Sequence, residues 1–424
     1  MPSQHVRSWY ADTANDPRRR PALAGDIACD VCIVGAGYTG LVAAIHLADR
    51  GYDVVVLEAE RVGWGASGRN GGQIVTGYNK PQGTLAGWVG DADARRLWEM
   101  SEEAKAILAG LVDRFSIDCD LRWGYVVGAF KDRQMAELRG WRDELGELGY
   151  DKVRLLDRDA LRREVATDAY VGGVLDEGSG QLHPLNYSLG LARGAESLGV
   201  RIFEESRVTA VDTGAAPWAR TAGGTVRARF LLLAGNAYLG GLAPGVGGTI
   251  MPVATYIIGT EPLGENRAKA MIPNGHAVAD ANFVLNYYRR SPDHRLLFGG
   301  GVSYSGLDRP DLKRSLQRTM LKIFPDLGDA RIDYVWGGNV AITMNRTPHL
   351  GRLSPTTLFA QGYSGHGVAL TAVCGRLLAE AVAGQAERFD VFARIPHAEF
   401  PGGKLLRTPA LVLAMMWFRL RDLL

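Results

Sequence analysis

A glycine-rich turn near the start of the chain has the residue types and spacing of a dinucleotide site. Gly35, Gly37 and Gly40 form G-x-G-x-x-G between an apolar run at 31–34 and helically spaced apolar residues that continue to Gly51. Gly35 allows a tight turn, Gly37 lets a pyrophosphate approach the backbone, and Gly40 permits close packing of helix on strand. The N–H groups at the helix start and the helix dipole favour phosphate. The alternative is a plain glycine-rich turn.

Glu58 and the loop after it extend this site. Glu58 follows the second predicted strand, at 54–57, where its carboxylate can accept hydrogen bonds from a ribose diol. The loop 59–73 contains five glycines together with Ser67 and Asn70. Such a loop offers successive backbone N–H groups to an anion or a heteroaromatic ring. A flexible surface loop is the alternative interpretation.

Two later turns repeat the arrangement of a strand followed by glycine. Ala234 and Gly235 close a strand predicted at 226–233, and the stretch QGYSGHG at 361–367 leads into a helix predicted over 368–383. Glycines at a helix start again leave the positive end of the helix dipole open to a ligand. We expect both turns to serve the same nucleotide as the first.

The elements that must position these turns indicate two domains. A chain of 424 residues is too long for one compact core, and its 46% hydrophobic and 22% charged residues are typical of a globular protein. Residues 237–340 change to longer aromatic strands with a helix at 311–323, which predicts a separate antiparallel substrate domain. Periodicity elsewhere predicts helices at 91–117, 131–148, 155–165 and 184–199, strands with a turn at 121–130, and strands at 201–203 and 206–211. For residues 1–25 we predict an arm that packs on the surface.

Charge and hydropathy argue against nucleic-acid binding and against a membrane-spanning or secreted protein. A net charge of +2 is too small to indicate nucleic-acid binding. The chain lacks a run of 18 apolar residues and an N-terminal apolar signal region, so we expect a cytoplasmic enzyme. Cys29 and Cys32 lie on a predicted strand, and we expect no metal there. The apolar stretch 410–418, followed by Arg419 and Arg421, predicts a terminal helix that docks on the protein, at a subunit contact or in a membrane interface.

Three signatures together resemble the FAD-dependent D-amino-acid oxidase superfamily, whose members include glycine and sarcosine oxidases. They are VGAGYTGLVAAIHLADRGYDVVVLE, GASGRNGGQ and GYSGHGVAL. Looser patterns resemble the bacterial gamma-glutamylputrescine oxidase subfamily, namely SWYADTAN, GWGASGRNGGQ and the tail FPGGKLLRTPALVLAMMWFRLRDLL.

The resemblance implies an α/β fold with a discontinuous Rossmann-like FAD-binding domain and an antiparallel-sheet α+β substrate domain. The implied FAD-binding segments are 26–85, 150–236 and 340–385. The substrate domain would then comprise 86–149 and 237–339, followed by a C-terminal tail helix at 386–424.

The resemblance also implies which residues contact the cofactor. Those at the pyrophosphate are Gly35, Gly37, Tyr38, Thr39 and Gly40, with Glu58 at the ribose and Ala59 beside it. Those beneath the pyrophosphate and ring system are Gly65, Ala66, Ser67, Arg69, Asn70, Gly71, Gly72 and Gln73. Two further contacts are expected at predicted strands: Val208 against the adenine, and the turn Ala234–Gly235 against the same nucleotide. The flavin's pyrimidine edge would meet Gly362, Gly365, His366, Gly367 and Val368.

The chain departs from the family patterns at the positions that tether flavin and clamp a carboxylate. The tethering cysteine is missing from VAITMNRTPHLG, and Gly65 replaces the histidine of a second tether, so we expect non-covalent FAD. The segment 341–344 lacks the arginine that clamps a substrate carboxylate, and Ala369 replaces a lysine. These departures indicate an amine whose reacting carbon lies away from any carboxylate. Arg289 or Arg346 could hold a distal carboxylate, or both could be structural.

The expected activity is oxidation of an amine C–N bond to an imine and then an aldehyde, with release of ammonia and with O2 or another electron acceptor. His366, Tyr287 and Tyr288 are the catalytic candidates, and Tyr256 is a further pocket wall; packing roles are the alternatives for all of them. Other functions stay open: a D-amino-acid or N-alkyl amino-acid oxidase or dehydrogenase that passes electrons to O2 or a quinone, a non-catalytic flavin-binding subunit or redox sensor, and an NAD(P)-only dehydrogenase.

Overall fold

A computed structural model describes residues 3–303 and 311–401, which form two β-sheets with helices packed on them. Its strands are β1 (Ile27–Val34), β2 (Val54–Leu57), β3 (Gln73–Ile74), β4 (Arg122–Ala129), β5 (Val153–Asp157), β6 (Gly172–Gln181), β7 (Arg201–Phe203), β8 (Ala210–Asp212), β9 (Trp218–Thr221), β10 (Gly224–Leu233), β11 (Ile250–Thr260), β12 (Ala277–Asp280), β13 (Tyr287–Arg290), β14 (Leu296–Ser303), β15 (Ile332–Thr343), β16 (His349–Ser354) and β17 (Thr357–Gln361).

The helices pack on the faces of these sheets and vary from one turn to 24 residues. They are α1 (Trp9–Asp12), α2 (Tyr38–Ala48), α3 (Gln82–Val89), α4 (Asp91–Arg114), α5 (Asp132–Glu147), α6 (Arg158–Glu164), α7 (Pro184–Ser197), α8 (Pro244–Gly247), α9 (Glu265–Met271), α10 (Leu312–Ile323), α11 (Gly367–Val382) and α12 (Glu387–Ala393). Among the described residues, no helix is both long and apolar enough to cross a bilayer.

The first sheet is the predicted Rossmann-like unit. Its order is β16-β17-β10-β1-β2-β7, with β17, β10, β1, β2 and β7 parallel and β16 antiparallel at the edge; β8 and β9 extend from β10. The run 31–34 is buried on both faces, as expected for a central parallel strand. Because β1 and β17 both run parallel to β10, the turns that lead from them into α2 and α11 lie at the same edge of the sheet.

The second sheet is mainly antiparallel, in the order β15-β11-β14-β13-β12-β4-β6-β3, and β5 pairs with β6. Only β12 and β4 pair in parallel among the pairs described for this sheet. Helix α10 covers it through Leu316, Met320 and Ile323, which recur at helical spacing and are buried. This arrangement confirms the predicted α/β fold with a largely antiparallel second sheet.

Two local predictions in this region were wrong. The stretch 121–130 forms one strand with a register shift near Gly124 (φ 109°), and not two strands with a turn. The helix predicted at 155–165 begins only at Arg158, because Leu155 and Leu156 pair with β6. Both errors involve partners distant in the sequence.

The domain boundaries stay a prediction. We assigned 150–236 to the FAD-binding domain, whereas β5 and β6 pair within the second sheet. The stretch 410–418 of the predicted tail helix lies outside the described residues, and α12 is the described helix nearest to it.

The N-terminal segment is part of the core, although we predicted an arm on the surface. Trp9 and Tyr10 are buried, and the Trp9 indole Nε1 donates to Asp293 Oδ2 at 3.1 Å. The Tyr10 ring makes edge contacts with Trp336 of β15, at 5.3 Å between centroids, and with His183 before α7, at 5.0 Å. The two aromatic side chains thus fill the space between the second sheet and α7.

Candidate active site

The turn from β1 into α2 has the geometry that its glycines require. Gly35 adopts φ 109°, and a Cβ there would lie 2.8 Å from the carbonyl oxygen of Ala234. A Cβ on Gly40 would lie 2.0 Å from the carbonyl oxygen of Gly35. Gly37 caps α2 without a side chain that could satisfy the first N–H groups of the helix. The start of α2 therefore offers backbone donors to an anion.

Glu58 lies at the end of β2, beside this turn. Its Oε2 accepts a hydrogen bond from the Ala36 N–H at 2.8 Å, and its Oε1 accepts one from the Glu60 N–H at 3.0 Å. Burial raises the pKa of Glu58 to about 7, although these two hydrogen bonds act in the opposite direction. Each oxygen keeps a further lone pair, so the carboxylate can still accept from a diol. Ala59, the next residue, is half-buried.

Ser67 joins the glycine-rich loop 59–73 to the first turn. Its hydroxyl oxygen accepts a hydrogen bond from the Tyr38 N–H at 3.1 Å. A Cβ on Gly37 would lie 2.9 Å from the same oxygen, so a side chain there would push the loop away. The Tyr38 hydroxyl donates to the carbonyl of Pro184 at 3.0 Å and anchors α2 to α7. The loop and the helix start therefore form one surface.

Asn70 fixes the same loop from within. Its Nδ2 donates to the carbonyl of Ala66 at 2.9 Å, and its Oδ1 accepts from the Gly72 N–H at 2.7 Å. Residues Ala66–Gly68 form a single 3-10 turn between these bonds. The loop is therefore held by its own hydrogen bonds, which favours the interpretation as a binding loop over a loose surface connection.

Arg69 connects this loop to the second sheet. Its guanidinium donates to the carbonyl of Trp64 and, at 3.4 Å, to the carbonyl of Gly337, and it lies 4.4 Å from the centroid of the Trp64 ring. The Arg69 carbonyl accepts from Trp336 Nε1 at 3.1 Å. Burial lowers the pKa of Arg69. The guanidinium of Arg69 is thus bound to protein carbonyls. The cofactor contact that we predicted for Arg69 stays a prediction.

Other loop positions pack closely against aromatic rings and strands. A Cβ on Gly65 would lie 3.1 Å from the Tyr238 ring, and one on Gly71 would lie 2.6 Å from the Tyr287 ring. Gln73 donates through Nε2 to a carbonyl of β12 at 3.0 Å. These contacts place the end of the loop against the second sheet.

The two later glycine turns meet the first. Asn236, which follows Gly235, accepts a hydrogen bond at its Oδ1 from the Gly362 N–H at 2.9 Å. The buried hydroxyls of Thr39 and Tyr363 lie 2.7 Å apart, although 324 positions separate them in the chain. The structure therefore brings all three turns together at one edge of the first sheet.

The third turn ends at the start of α11. Gly365 adopts φ 97°, and Gly367 and Val368 form the first turn of the helix after His366. The His366 side chain does not cap the helix, and its Nδ1 is buried without a hydrogen-bond partner among the described residues. Burial lowers the pKa of His366 to about 4, so the imidazole is neutral at pH 7.

Only one of the predicted tyrosines faces the glycine-rich loop. The Tyr287 ring lies against Gly71, whereas the Tyr288 ring stacks on Phe298 at 5.5 Å and its hydroxyl lies 3.0 Å from that of Tyr170. Successive strand residues point to opposite faces, so the two tyrosine rings lie on opposite sides of the sheet. Tyr288, predicted as catalytic, and Tyr256, predicted as a pocket wall, instead belong to the core cluster behind the sheet.

We predicted a strand at 206–211 that contains Val208. In the structure β8 begins at Ala210, so Val208 lies before this strand. It packs in an apolar cluster with Leu57 and Leu239. The Ser206 N–H donates to the carbonyl of Glu58 at 2.8 Å, which holds this segment next to the Glu58 backbone. A contact between Val208 and adenine stays a prediction.

The sequence-based candidates omitted three residues that the structure brings to this site. Asn236 and Tyr363 flank the predicted glycines. Their polar side chains beside glycine turns were a signal in the sequence that could have identified them. Tyr10 had no local signal, because its contacts with His183 and Trp336 are visible only in the fold.

Comparison with known proteins places this geometry in a family. A family model described as FAD dependent oxidoreductase matches residues 30–381. The chain belongs to this family of FAD-dependent oxidoreductases. It is 44% identical over 421 residues to gamma-glutamylputrescine oxidoreductase of Escherichia coli strain K12, a match that covers 99% of each chain. It is also 41% identical over 425 residues to the probable oxidoreductase OrdL of Haemophilus influenzae, covering 99% of this chain and 98% of the other.

Solved structures show the same fold for this FAD-dependent oxidoreductase. Glycine oxidase from Geobacillus kaustophilus superimposes with a TM-score of 0.73 at 21% identity, covering 84% of this chain and 95% of the other. L-proline dehydrogenase from P. horikoshii gives a TM-score of 0.71 at 18% identity, covering 86% and 94%. The family model and the 44% identical relative confirm the predictions of an FAD cofactor and of an enzyme in this superfamily.

The residues of the three turns fit the cofactor of the family. The N-cap residue Gly37 supplies no side-chain cap to α2, Ser67 accepts from the Tyr38 N–H, and the glycines of the turn leave room that a Cβ would fill. An acidic side chain, Glu58, stands at the end of the next strand, where a dinucleotide ribose is bound in Rossmann-like domains. An anion-accepting helix start and a diol-accepting carboxylate are thus adjacent.

Proposed function

We propose that this FAD-dependent oxidoreductase oxidises the primary amine of a gamma-glutamyl amine such as gamma-glutamylputrescine. The supporting observation is the similarity to the Escherichia coli enzyme of that name, which extends over nearly the whole of both chains. With O2 as acceptor, the amine, O2 and water are converted to an aldehyde, ammonia and hydrogen peroxide. The carbon next to the amine nitrogen is oxidised, and O2 is reduced by two electrons.

The three glycine turns would hold the cofactor. When bound, FAD supplies a two-electron acceptor for the C–H bond beside the amine nitrogen. We assign the pyrophosphate to the start of α2 and the loop around Ser67, and the adenosine ribose to Glu58. The start of α11 at Gly367, with its helix dipole, would stabilise negative charge at the ring. The cofactor would be held without a covalent bond, since Gly65 and the segment 340–351 provide neither tether.

The proton balance of the site supports oxidation of a neutral amine. His366 is neutral at pH 7 because burial lowers its pKa to about 4. Burial also raises the pKa of Tyr287, so its hydroxyl keeps its proton. Neither group is a strong base, and the apolar surroundings themselves lower the pKa of a bound ammonium group. We therefore assign hydrogen-bonding roles to His366 and Tyr287, and propose that the amine loses its proton on entering the pocket.

The proposed substrate preference depends on the absence of a cation from the end of β15. The end of β15, at 341–344, reads Ala-Ile-Thr-Met and offers no cation to a carboxylate on the reacting carbon. Loss of a charge-assisted hydrogen bond to a buried carboxylate is costly, so a small α-amino acid would bind poorly. An amine whose carboxylate is remote avoids this cost.

A substrate panel tests the proposal. Purified holoenzyme is mixed with gamma-glutamylputrescine, putrescine, glycine, sarcosine and D-alanine, and turnover is read both by hydrogen peroxide and by reduction of an artificial dye. We expect the highest kcat/KM with gamma-glutamylputrescine, together with peroxide formation.

Each other outcome has a distinct meaning. Turnover confined to glycine or D-alanine would contradict the substrate assignment. Dye reduction without peroxide would replace O2 by another acceptor. Anaerobic mixing that leaves the oxidised-flavin spectrum unchanged with every amine would favour a non-catalytic flavin-binding protein.

We also propose a cytoplasmic enzyme in which the C-terminal tail contacts a subunit or a membrane surface. All four cysteines are free thiols, which suits a reducing compartment. Removal of residues 405–424, followed by fractionation and by measurement of the molecular mass in solution, tests the tail contact. An unchanged distribution and an unchanged number of subunits would exclude both forms of contact.

A further inference from the structure

Arg289 is a buried arginine without an acidic partner. Its residue is 2% exposed, and its Nε and Nη1 atoms are buried without hydrogen-bond partners among the described residues. Its Nη2 reaches only the Tyr10 hydroxyl, at 3.5 Å, and the guanidinium lies 5.6 Å from the centroid of the Tyr10 ring. The side chain therefore keeps most of its donors unused.

The other deeply buried arginines of the described residues have acidic partners. Arg20 donates to Glu196 at 2.6 Å, and Arg61 donates to Glu204 at 2.9 Å. An arginine stays protonated inside a protein, and a buried charge without a counter-ion is costly. The fold neutralises Arg20 and Arg61 with its own carboxylates but provides none for Arg289 within 3–303 and 311–401.

Arg289 lines a small cavity beside the glycine-rich loop, which is too narrow for a water molecule between its present walls. The other residues that line it are Tyr10, Gly71, Ile257, Tyr287, Tyr288, Leu297 and Gly299. Gly71 belongs to the loop that we assign to the cofactor, and Tyr287 lies on the same face of β13 as Arg289. The guanidinium therefore lies beside the candidate active site, and a ligand would reach it by displacing these walls.

The charge of Arg289 acts on a neighbour of this cavity. Burial, and next the positive charge of Arg289, lower the pKa of His183 to about 3. His183 is therefore neutral, and it contacts the Tyr10 ring. The neutral imidazole of His183 does not neutralise the guanidinium, whose field is available to an incoming anion.

We propose that Arg289 binds the carboxylate of the glutamyl part of the substrate and selects amines that carry this remote charge. The inference rests on the proposed function. The planar fork of an arginine matches a carboxylate through two parallel hydrogen bonds, and Nε and Nη1 are the two donors that lack partners. The carboxylate supplies the counter-ion that the fold omits.

Two amides of putrescine isolate the carboxylate. N-glutarylputrescine retains it, and N-pentanoylputrescine replaces it by a methyl group on an acyl chain of the same length. The measured quantity is the ratio of their kcat/KM values, glutaryl over pentanoyl. We expect the wild-type enzyme to prefer the glutaryl amide by roughly 10- to 100-fold, as for hydrogen bonds to a charged group. Arg289→Met should bring this ratio close to one.

Arg290→Met is the matched control, because Arg290 is the next residue of the same strand and points to the other face. It should keep the wild-type ratio. Flavin content and the midpoint of thermal unfolding are measured for both variants to separate loss of fold from loss of selectivity. Equal losses on both amides in Arg289→Met, or a wild-type ratio near one, would overturn the inference and leave a structural contact with Tyr10.

A binding measurement keeps the test separate from the proposed function. Glutarate carries the same carboxylate without an oxidisable amine, and its binding to each holoenzyme is measured by calorimetry. We expect binding to the wild-type protein that weakens by roughly 10-fold or more in Arg289→Met. If no amine is oxidised but glutarate binds in this manner, the function fails and the site stands. If the amines are oxidised and glutarate does not bind, the site fails alone.

Discussion

Glu58 shows how a single carboxylate can serve the fold and the cofactor together. Its two oxygens hold the backbone at Ala36 and Glu60, which shapes the turn before α2. Burial keeps its pKa near 7, so a large fraction is protonated in the free protein at neutral pH. A ribose diol donates hydrogen bonds and favours the ionised form. Binding of FAD should therefore release a proton from Glu58.

This linkage predicts a pH-dependent affinity. Below pH 7 the free protein must lose the Glu58 proton on binding, so FAD affinity should rise with pH and level off above 7. In Glu58→Gln the affinity should lack this rise and be weaker at pH 8 by about 1.5–3 kcal/mol, the contribution of hydrogen bonds to a charged group. Titration of the apoprotein with FAD, followed by flavin fluorescence between pH 6 and 8, measures both effects. An identical pH profile in the two proteins would rule out Glu58 as the linked group.

At the scale of elements, the site depends on contact between the starts of α2 and α11. Thr39 lies in the first turn of α2, and Tyr363 lies just before α11, so their 2.7 Å hydrogen bond connects two glycine turns directly. Both side chains are buried, and removal of either partner leaves a polar group without its bond.

A double-mutant cycle measures this connection. Thr39→Val and Tyr363→Phe should each lower the free energy of unfolding by about 1 kcal/mol, and the double variant by clearly less than their sum. Urea denaturation of the holoenzyme gives the values. Tyr52→Phe provides the control, because Tyr52 follows the far end of α2, and its cycle with Thr39→Val should show no coupling. Additive losses for Thr39 and Tyr363 would mean that the two turns are energetically independent.

The sequence was most informative where an element is defined by its own residues. The strands at 31–34 and 54–57, the helix starts after Gly37 and Gly365, and Glu58 all follow from local pattern and glycine chemistry. Their convergence was implied by family resemblance and is seen in the contacts between turns. Local pattern could not show that 155–157 pair with β6, since that choice depends on a partner strand.

Side-chain direction and charge pairing were also beyond the sequence. Tyr287 and Tyr288 look equivalent in the chain, but strand geometry sends them to opposite faces. Arg289 could not be told from a surface arginine, because its burial and its lack of a carboxylate depend on every element packed around it. These are properties of the assembled fold.

At the scale of the whole molecule, the N-terminal segment links the two sheets. Tyr10 lies between Trp336 of the second sheet and His183, which caps α7 beside the first sheet, while Trp9 bonds to Asp293 near β13. Local composition suggested a surface arm because each of these partners is more than 170 residues away. The buried aromatic pair makes the relative position of the sheets, and with it the cavity at Arg289, depend on this segment.

Two substitutions at Tyr10 separate packing from hydrogen bonding. Tyr10→Ala removes a buried ring and should lower the free energy of unfolding by about 3–5 kcal/mol, as for other aromatic residues truncated in a core. Tyr10→Phe keeps the ring and loses only the long contact of its hydroxyl with Arg289, so it should cost less than about 1 kcal/mol. Urea denaturation of both holoenzymes, followed by tryptophan fluorescence, gives the comparison. If Tyr10→Ala is as stable as Tyr10→Phe, the segment contributes no packing energy, and the sheets must be held together by the cofactor and the direct contacts of the glycine-rich loop.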